Sequence, residues 1–304
     1  MISRRRLLQS MGLPVVASLL PQQLLAETNR FIAKKIPSSG EMLNVIGMGT
    51  SRTFNHLDNT DMHTQLLEVL TDFFSMGGQM IDSSPMYGSA ETLFGNLLKQ
   101  LPKQDKVFAA SKVWTDGEQE GIIAIEESRK RMAVDTMDLM QVHNLRDWEI
   151  HMQTLKAMKA AGDIRYTGIT TSRERQYEDF ERVMDSEQLD FIQINYSFGE
   201  RRVEDRILPL AAEKGIAVII NRPFQRGRLF TATKDKALPE FVKEFGCTSW
   251  AQFFLKFVVS HPAVTCAIPA TSKPKHMKDN MLAQQGRLPD TKERQKMIEF
   301  MASL

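Results

Sequence analysis

The stretch that decides the fold begins with Gln79-Met80-Ile81, a short apolar run that is followed by Asp82. Two later runs have the same form: Val107-Phe108-Ala109-Ala110, followed by Ser111-Lys112, and Met137 to Val142, followed by His143. Such runs predict buried strands, and each precedes a stretch with helical periodicity. The step from Asp82 to Lys112 is 30 residues and the step from Lys112 to His143 is 31. Each step therefore fits one strand and one crossover helix.

The same pattern recurs along the chain and predicts eight strands in all. The further strands are expected at Asn44 to Gly49, Arg165 to Thr170, Asp190 to Asn195, Ile216 to Asn221 and Val264 to Pro269. Parallel strands at this spacing close most naturally into a (β/α)8 TIM barrel, whose active site lies at the carboxyl ends of the strands. Ala33 to Ile36 and Met42 to Ile46 predict a β-hairpin before the barrel, and Asp290 to Ser303 predicts a terminal helix capped by Asp290. The predicted fold class is α/β, a TIM barrel with an N-terminal β-hairpin.

Four polar residues fall on the expected rim, and their chemistry predicts a proton-transfer site. A phenol such as that of Tyr87 has a pKa near ~10, and a nearby ammonium from Lys112 is expected to lower it. The Asp82 carboxylate would keep the lysine charged, and the His143 imidazole would hydrogen-bond a substrate oxygen. Each residue alone has an ordinary structural interpretation, such as a turn cap for Asp82 or a core position for His143. Their order at consecutive strand ends favours the functional interpretation.

These residues lie in segments that resemble the catalytic segments of the aldo-keto reductases. The segments are Ile81-Asp82-Ser83-Ser84-Pro85-Met86-Tyr87-Gly88-Ser89-Ala90-Glu91, Ala110-Ser111-Lys112-Val113-Trp114 and Gln141-Val142-His143, and the resemblance extends from about Asn44 to Asn280. It implies a barrel that binds a nicotinamide cofactor across its rim and transfers hydride to the carbonyl of an aldehyde or ketone. Tyr87 would then be the general acid, with Lys112 and Asp82 as its tuning pair. His143 would orient the substrate.

The segment from Ile268 to Asn280 resembles the part of the family that holds the adenosine end of the cofactor. The resemblance implies phosphate contacts from Thr271 and Ser272 and adenine contacts from Asp279 and Asn280. Backbone amides at the start of the following helix would also favour an anion.

The choice between NADP and NAD depends on basic residues in this segment. The family often has Lys or Arg at the positions of Ala270 and His276, where it holds the 2′-phosphate of NADP, and this chain departs at both. Lys273, Lys275 or Lys278 could substitute as point charges, or could form a solvated helix face. NADP is favoured, and NAD is the alternative.

The nicotinamide end shows two more departures from the family. Thr170-Thr171 stands where the family usually has Ser-Asn to hold the carboxamide, whereas Gln193 matches the family's glutamine. Where many members stack a Tyr on the ring, this chain has Asn221-Arg222-Pro223-Phe224, followed by Gln225-Arg226-Gly227-Arg228. Arg222 or Phe224 could cover the ring, and Arg226 and Arg228 could clamp the pyrophosphate as bidentate donors, or the loop could be an exposed basic one.

The substrate pocket can be predicted only from position on the rim. Five residues follow predicted strands and would present apolar or amide surface near the carbonyl, or would pack within loops: Phe54, Met86, Trp114, Asn144 and Phe198. The terminal helix leaves few residues for a long loop over the pocket. An open pocket would accept varied small carbonyl compounds.

The amino terminus predicts export. Ser3-Arg4-Arg5-Arg6-Leu7-Leu8-Gln9 precedes an apolar run from Met11 to Leu20, which looks like a twin-arginine signal. The run is too short, and too interrupted by Pro14, for a spanning helix of about 20 residues. A cut after Ala26 would leave residues 27–304 as a periplasmic barrel that meets the translocation machinery and the membrane only transiently. A retained anchor or a disordered tail is the alternative.

Composition is typical of one soluble domain. The 304 residues are 42% hydrophobic and 25% charged, enough for a single barrel core. The net charge of +2 becomes −1 when the three arginines of residues 1–26 are removed, so no nucleic-acid partner is indicated. The 6 His and 2 Cys show no metal-ligand spacing. Cys247 and Cys266 could pair in an oxidising compartment, but their spacing is no evidence that they do.

Two functions are compatible with these features. The first is an exported reductase that uses NADPH or NADH. The second is a barrel that holds the cofactor as a sensor or regulatory subunit with slow turnover. The intact set of four rim residues favours the reductase, whereas export favours a retained cofactor, because free NADPH is not expected to be regenerated outside the cytoplasm.

Overall fold

The computed structural model of the protein describes residues 31–102 and 107–304. The predicted export signal at residues 1–26 lies outside the described residues, as does the predicted boundary after Ala26. Within the described ranges, no helix combines the length and the apolar character needed to cross a membrane.

The described chain opens with an antiparallel hairpin of β1 (Ala33–Lys35) and β2 (Met42–Asn44). Ile36 and Leu43 from this hairpin are buried in one apolar cluster with side chains from the starts of the barrel strands. Lys34 anchors the hairpin, because its ammonium donates hydrogen bonds to the backbone carbonyls of Val259, His261 and Val264. The hairpin therefore closes the amino-terminal end of the barrel.

Eight parallel strands form a barrel in which spatial order follows sequence order. They are β3 (Met48–Gly49), β4 (Met80–Asp82), β5 (Phe108–Val113), β6 (Met137–His143), β7 (Ile164–Thr170), β8 (Phe191–Asn195), β9 (Ala217–Asn221) and β10 (Cys266–Ala267). The first and last strands meet where the Gly47 amide donates to the Ala267 carbonyl at 2.9 Å and the Ala267 amide donates to the Val45 carbonyl at 2.9 Å. The predicted (β/α)8 barrel with an N-terminal hairpin is confirmed.

Helices cover the outside of the barrel and bury a second, larger apolar layer against the strands. The α-helices are α1 (Thr60–Ser75), α2 (Ala90–Leu98), α3 (Glu118–Met132), α4 (Trp148–Ala161), α5 (Tyr177–Ser186), α6 (Ile207–Glu213), α7 (Arg228–Ala232), α8 (Trp250–Val259), α9 (Pro274–Leu282) and α10 (Thr291–Ala302). The terminal helix α10 begins after Asp290, which forms a capping box with Glu293, so the predicted cap is confirmed.

The two strands at the seam of the barrel are shorter than predicted. The sequence predicts one strand from Asn44 to Gly49, but Asn44 belongs to the hairpin, the chain bends at Val45, and Ile46 forms an isolated parallel bridge with Ala267 before β3 begins. The strand expected from Val264 to Pro269 shortens to Cys266–Ala267.

The two cysteines, Cys247 and Cys266, are free and buried, and burial raises the thiol pKa to about 12 at each.

Candidate active site

The four polar residues predicted from strand ends meet at the carboxyl end of the barrel. Asp82 is the last residue of β4, Lys112 lies one residue before the end of β5, and His143 ends β6. Tyr87 lies in a single 3₁₀ turn, Pro85–Tyr87, that follows β4. Adjacent parallel strands place these ends side by side, so the set forms one cluster.

Lys112 and Asp82 form a buried ion pair at the floor of the site. The ammonium Nζ lies 2.7 Å from each carboxylate oxygen and donates a third bond, also 2.7 Å, to the Ser83 carbonyl. Burial alone lowers the pKa of Lys112, but the Asp82 carboxylate and Tyr87 raise it above its usual value, so the ammonium stays charged. Asp82 also accepts a hydrogen bond from the Gln193 amide at 3.3 Å.

The ring of Tyr87 lies next to this ion pair. The Lys112 Nζ lies 5.3 Å from the centre of the Tyr87 ring. Burial raises the pKa of the phenol, and the Lys112 charge opposes that effect without reversing it. The net lowering expected from the sequence is therefore wrong in direction, because desolvation outweighs the ammonium. Tyr87 is a protonated phenol at neutral pH, which is the form that donates a proton.

Hydrogen bonds to the loop after β3 hold the turn that carries Tyr87. Gly88 adopts a φ of +64°, and a Cβ there would lie 2.3 Å from the Asn55 side chain, so glycine is required. The Asn55 Oδ1 accepts hydrogen bonds from the Ser89 amide at 2.9 Å and from the Ser89 hydroxyl at 3.0 Å. The loop after β3 thereby fixes the position of the phenol.

His143 completes the cluster as a neutral imidazole. Burial, with the charges of Lys112 and Arg173, lowers its pKa to about 3. The His143 ring meets the edge of the Tyr87 ring at a centroid distance of 6.0 Å. Its Nδ1 lies 3.1 Å from the hydroxyl of Ser84, a buried residue to which the sequence analysis assigns no role.

A cavity of about 890 Å³ opens above these residues. Its wall includes eleven residues that the sequence predicted for the site: Asp82, Met86, Tyr87, Lys112, His143, Asn144, Thr170, Gln193, Arg222, Phe224 and Arg226. A cavity of this size, lined by apolar surface and convergent polar groups, is typical of a binding site for a small molecule or a cofactor.

Several predicted residues lie outside this wall. Phe54 is fully buried in the core, and Phe198 stacks on Phe257 at a centroid distance of 3.8 Å. Trp114 packs edge-on against His143, at a centroid distance of 5.1 Å. Phe54 and Phe198 therefore contribute to packing, which is the alternative that the sequence leaves open for them beside a place in the pocket. Met86, by contrast, lines the cavity. The difference depends on the direction of each loop, which hydrophobic periodicity does not reveal.

Two residues that were predicted to contact the cofactor, Thr171 and Arg228, do not line the cavity. The Thr171 hydroxyl is buried and donates to the Gln176 side chain at 2.7 Å, so it does not take the place of an amide in the cavity. Arg228 is exposed at the start of α7 and is not part of the cavity wall. Gln193 reaches the wall, but its amide oxygen accepts a hydrogen bond from the Gln141 side chain at 2.9 Å. This oxygen is therefore already bonded within the protein.

The predicted adenosine segment lies beside the cavity, at the end of β10 and the start of α9. Its remaining predicted residues are Thr271, Ser272, Lys273, His276, Asp279 and Asn280, and none belongs to the cavity wall. Lys273, Lys275 and His276 are exposed at this helix start. Lys278 instead pairs with Asp72 at 3.3 Å, and Asp279 accepts from the Gln252 amide at 2.6 Å.

The cavity is strongly cationic, which sequence reasoning captured only in part. Four arginines line it, and two of them, Arg52 and Arg173, were not predicted. Asp82 is the only carboxylate of the wall among the described residues, and Lys112 already neutralises it. In the described part of the chain, the guanidinium groups of Arg52, Arg173 and Arg226 have no ion-pair partner. These groups suit a ligand that carries several negative charges.

The described residues contain no group of three or more His, Cys, Asp or Glu side chains that could hold a metal ion. The polar atoms of the site instead comprise a charged ammonium, a protonated phenol and a neutral imidazole around one cavity. That set can donate protons and hydrogen bonds to an oxygen atom that gains negative charge.

Comparison with known proteins identifies the group to which this architecture belongs. The sequence profile of the Aldo/keto reductase family matches residues 45–295. Methylglyoxal reductase YeaE of Escherichia coli (strain K12) is 30% identical over 256 residues, which cover 81% of this chain and 88% of that protein. Aldo-keto reductase YhdN of Bacillus subtilis (strain 168) is 29% identical over 210 residues, or 64% of this chain and 62% of that one.

Solved structures show the same fold. An aldo/keto reductase from Klebsiella pneumoniae, in complex with NADP and acetate, superposes with a TM-score of 0.73 at 24% identity, covering 90% of this chain and 95% of that chain.

Proposed function

We propose, from the premise that this chain belongs to the aldo/keto reductase family, that it reduces an aldehyde or ketone to the alcohol with NADPH. The observation that carries the proposal is the position of Tyr87, a protonated phenol between the Lys112 ammonium and the His143 imidazole at the floor of a cavity. A carbonyl oxygen that gains negative charge needs such a set of donors.

The positive charge of the cavity supports the proposal that it binds a dinucleotide cofactor. The arginines without acidic partners fit a pyrophosphate, and two arginines of the cavity wall, Arg222 and Arg226, follow the end of β9. Thr170 and Asn144 also line the cavity and supply further polar groups. The NADP in the Klebsiella pneumoniae structure belongs to a protein with the same fold and supports this assignment.

NADPH is favoured over NADH because of the helix start beside the cavity. Lys273, Lys275 and His276 are exposed there, around the first turn of α9. Several basic side chains in one place suit a phosphate monoester. Lys278 contributes less, because its ammonium already pairs with Asp72.

The nicotinamide, when bound, supplies hydride to the carbonyl carbon. Residues of the chain itself bind the carbonyl oxygen and protonate it. His143 orients the carbonyl by a hydrogen bond, and Tyr87 gives its hydroxyl proton to the oxygen, so one hydride and one proton convert the carbonyl to an alcohol. Lys112 stabilises the phenolate that remains, and Asp82 holds the ammonium in place.

The substrate class follows from the openness of the site and from the relatives. Met86 is 46% exposed at the mouth, and Phe224 and Phe230 offer apolar surface beside the polar floor. Methylglyoxal reductase YeaE is named for a small dicarbonyl compound. A small aldehyde or ketone is therefore the substrate that we propose.

The slow sensor or regulatory subunit is the second candidate. Thr171 bonds Gln176, and the Gln193 amide is committed to Gln141 and Asp82, so fewer donors are left to hold the nicotinamide carboxamide. Looser positioning would lower turnover without preventing cofactor binding.

We also propose that the protein is exported folded by the twin-arginine route and acts in the periplasm, supported by Arg4, Arg5 and the apolar run that follows them.

The test of the reductase is product formation by the purified protein. NADPH consumption should match alcohol formation one to one across a panel of small aldehydes and ketones. Tight NADPH binding with no alcohol from any of them would exclude the reductase and leave the sensor.

A further inference from the structure

Ser84 lies between His143 and the turn that carries Tyr87. Its side chain is fully buried, and its Oγ lies 3.1 Å from the Nδ1 atom of His143. The same Oγ accepts a hydrogen bond from the Met86 amide at 3.3 Å, which caps the 3₁₀ turn Pro85–Tyr87. One hydroxyl therefore contacts both elements.

The protons of this contact can be placed by accounting for donors and acceptors. A serine hydroxyl carries one proton and two lone pairs, and the Met86 amide occupies one lone pair. Among the described residues, Nδ1 of His143 is the only other polar atom that bonds this hydroxyl. If Nδ1 were the donor, the buried serine proton would have no acceptor, which costs free energy. The serine therefore donates to Nδ1.

The other nitrogen of the ring follows from this assignment. Burial and the charges of Lys112 and Arg173 keep the imidazole neutral, and a neutral imidazole has one N–H. With Nδ1 as acceptor, the proton lies on Nε2. No protein atom in the described chain bonds Nε2, and His143 lines the cavity.

We propose that Ser84 is a positioning residue that holds His143 as the Nε2–H tautomer, with this N–H available to the substrate carbonyl oxygen. The hydrogen bond on one ring nitrogen commonly decides which form the other nitrogen takes. The role toward substrate rests on the proposed function, whereas the tautomer does not.

Ser84 also couples the orienting group to the acid. The Tyr87 amide donates to the Ser84 carbonyl at 3.0 Å, so the backbone of the same residue shapes the turn that carries the phenol. Both side chains that would contact the carbonyl oxygen are thereby held by one residue.

The test is ¹⁵N NMR of the full-length protein labelled at histidine, with the His143 signals assigned by their loss in His143→Gln. In the unaltered protein, Nδ1 should be an unprotonated hydrogen-bond acceptor and Nε2 should carry the proton. In Ser84→Ala, the Nδ1 signal should move to that of an unbonded imine nitrogen or divide between two tautomers. Ser128→Ala is the matched control, because it also removes a buried serine hydroxyl, one that bonds Glu91 at 3.1 Å.

Kinetics provide the second readout. Ser84→Ala should lower kcat by about 5- to 10-fold, equivalent to one net hydrogen bond, with the Kd for NADPH unchanged. Ser128→Ala should change neither kcat nor the His143 signals.

A proton on Nδ1 in the unaltered protein would overturn the proposal, whether or not the variant folds. An unmoved Nδ1 signal in folded Ser84→Ala would also overturn it. The expected signals in a protein that reduces no carbonyl would uphold the tautomer and reject only the proposed function.

Discussion

The Nζ atom of Lys112 lies 2.7 Å from both carboxylate oxygens of Asp82, and the two side chains are 1% and 3% exposed. Such a pair is a poor way to stabilise a fold, because the cost of removing both charges from water can exceed their attraction. Its presence under Tyr87 is better explained by the chemistry of the phenol. Lys112 supplies positive charge where a phenolate would form, and Asp82 keeps that charge in place.

The first prediction concerns this ion pair. Asp82→Asn leaves a buried ammonium without its counter-charge, so the free energy of unfolding should fall by about 3–5 kcal/mol in urea denaturation. The double variant Asp82→Leu/Lys112→Met should recover much of that stability while remaining inactive. A loss below about 1 kcal/mol in Asp82→Asn would mean that the pair does not carry opposite charges.

The second prediction concerns the cationic cavity. Arg226→Gln should raise the Kd for NADPH by about 10-fold or more, since a charge-assisted hydrogen bond to phosphate is lost. Arg228→Gln, two residues away but outside the cavity wall, should leave the Kd within about twofold. Fluorescence titration measures both constants. Equal effects of the two changes would place the pyrophosphate elsewhere on the rim.

The third prediction concerns cofactor choice. Lys273→Ala/Lys275→Ala should weaken NADPH binding by about 10-fold or more while NADH binding changes little, because only NADPH has the 2′-phosphate. Lys278→Ala is the control, since Lys278 pairs with Asp72. If both cofactors lost the same affinity, or neither did, the two lysines would be a solvated helix face.

The fourth prediction concerns location. Changing Arg4 and Arg5 to Lys keeps the charge, but it should leave the precursor in the cytoplasm, because twin-arginine signals are recognised by a receptor. Cell fractionation and immunoblotting measure the distribution. The retained precursor should still consume supplied NADPH with an aldehyde. Undiminished mature protein in the periplasm would point to another export route.

The barrel and the cluster at its floor were predictable from sequence for one physical reason. Buried parallel strands are apolar runs at regular spacing, and polar residues at their carboxyl ends must lie on the same rim. Asp82, Lys112 and His143 satisfy both conditions. The terminal helix was predictable because its cap, Asp290, is a local signal.

The loops were less predictable, because tertiary contacts set their direction. Arg52, Arg222 and Arg226 adopt φ values of +65°, +52° and +56°, which side chains other than glycine rarely adopt and periodicity does not reveal. Phe54 is buried, whereas Arg52, two residues earlier, lines the cavity. The net pKa shift of Tyr87 was misjudged for a similar reason, since the depth of burial is a property of the whole fold.

The most direct test of the account is the turnover of Tyr87→Phe. Removing the hydroxyl should lower kcat by about 10²- to 10⁴-fold, the usual contribution of a positioned acid, while the Kd for NADPH and the melting temperature stay close to those of the unaltered protein. Single-turnover reduction of a small aldehyde, followed by NADPH absorbance, measures the chemical step itself. Turnover within about threefold of the unaltered protein would contradict the account, because the proton would then come from a group other than Tyr87.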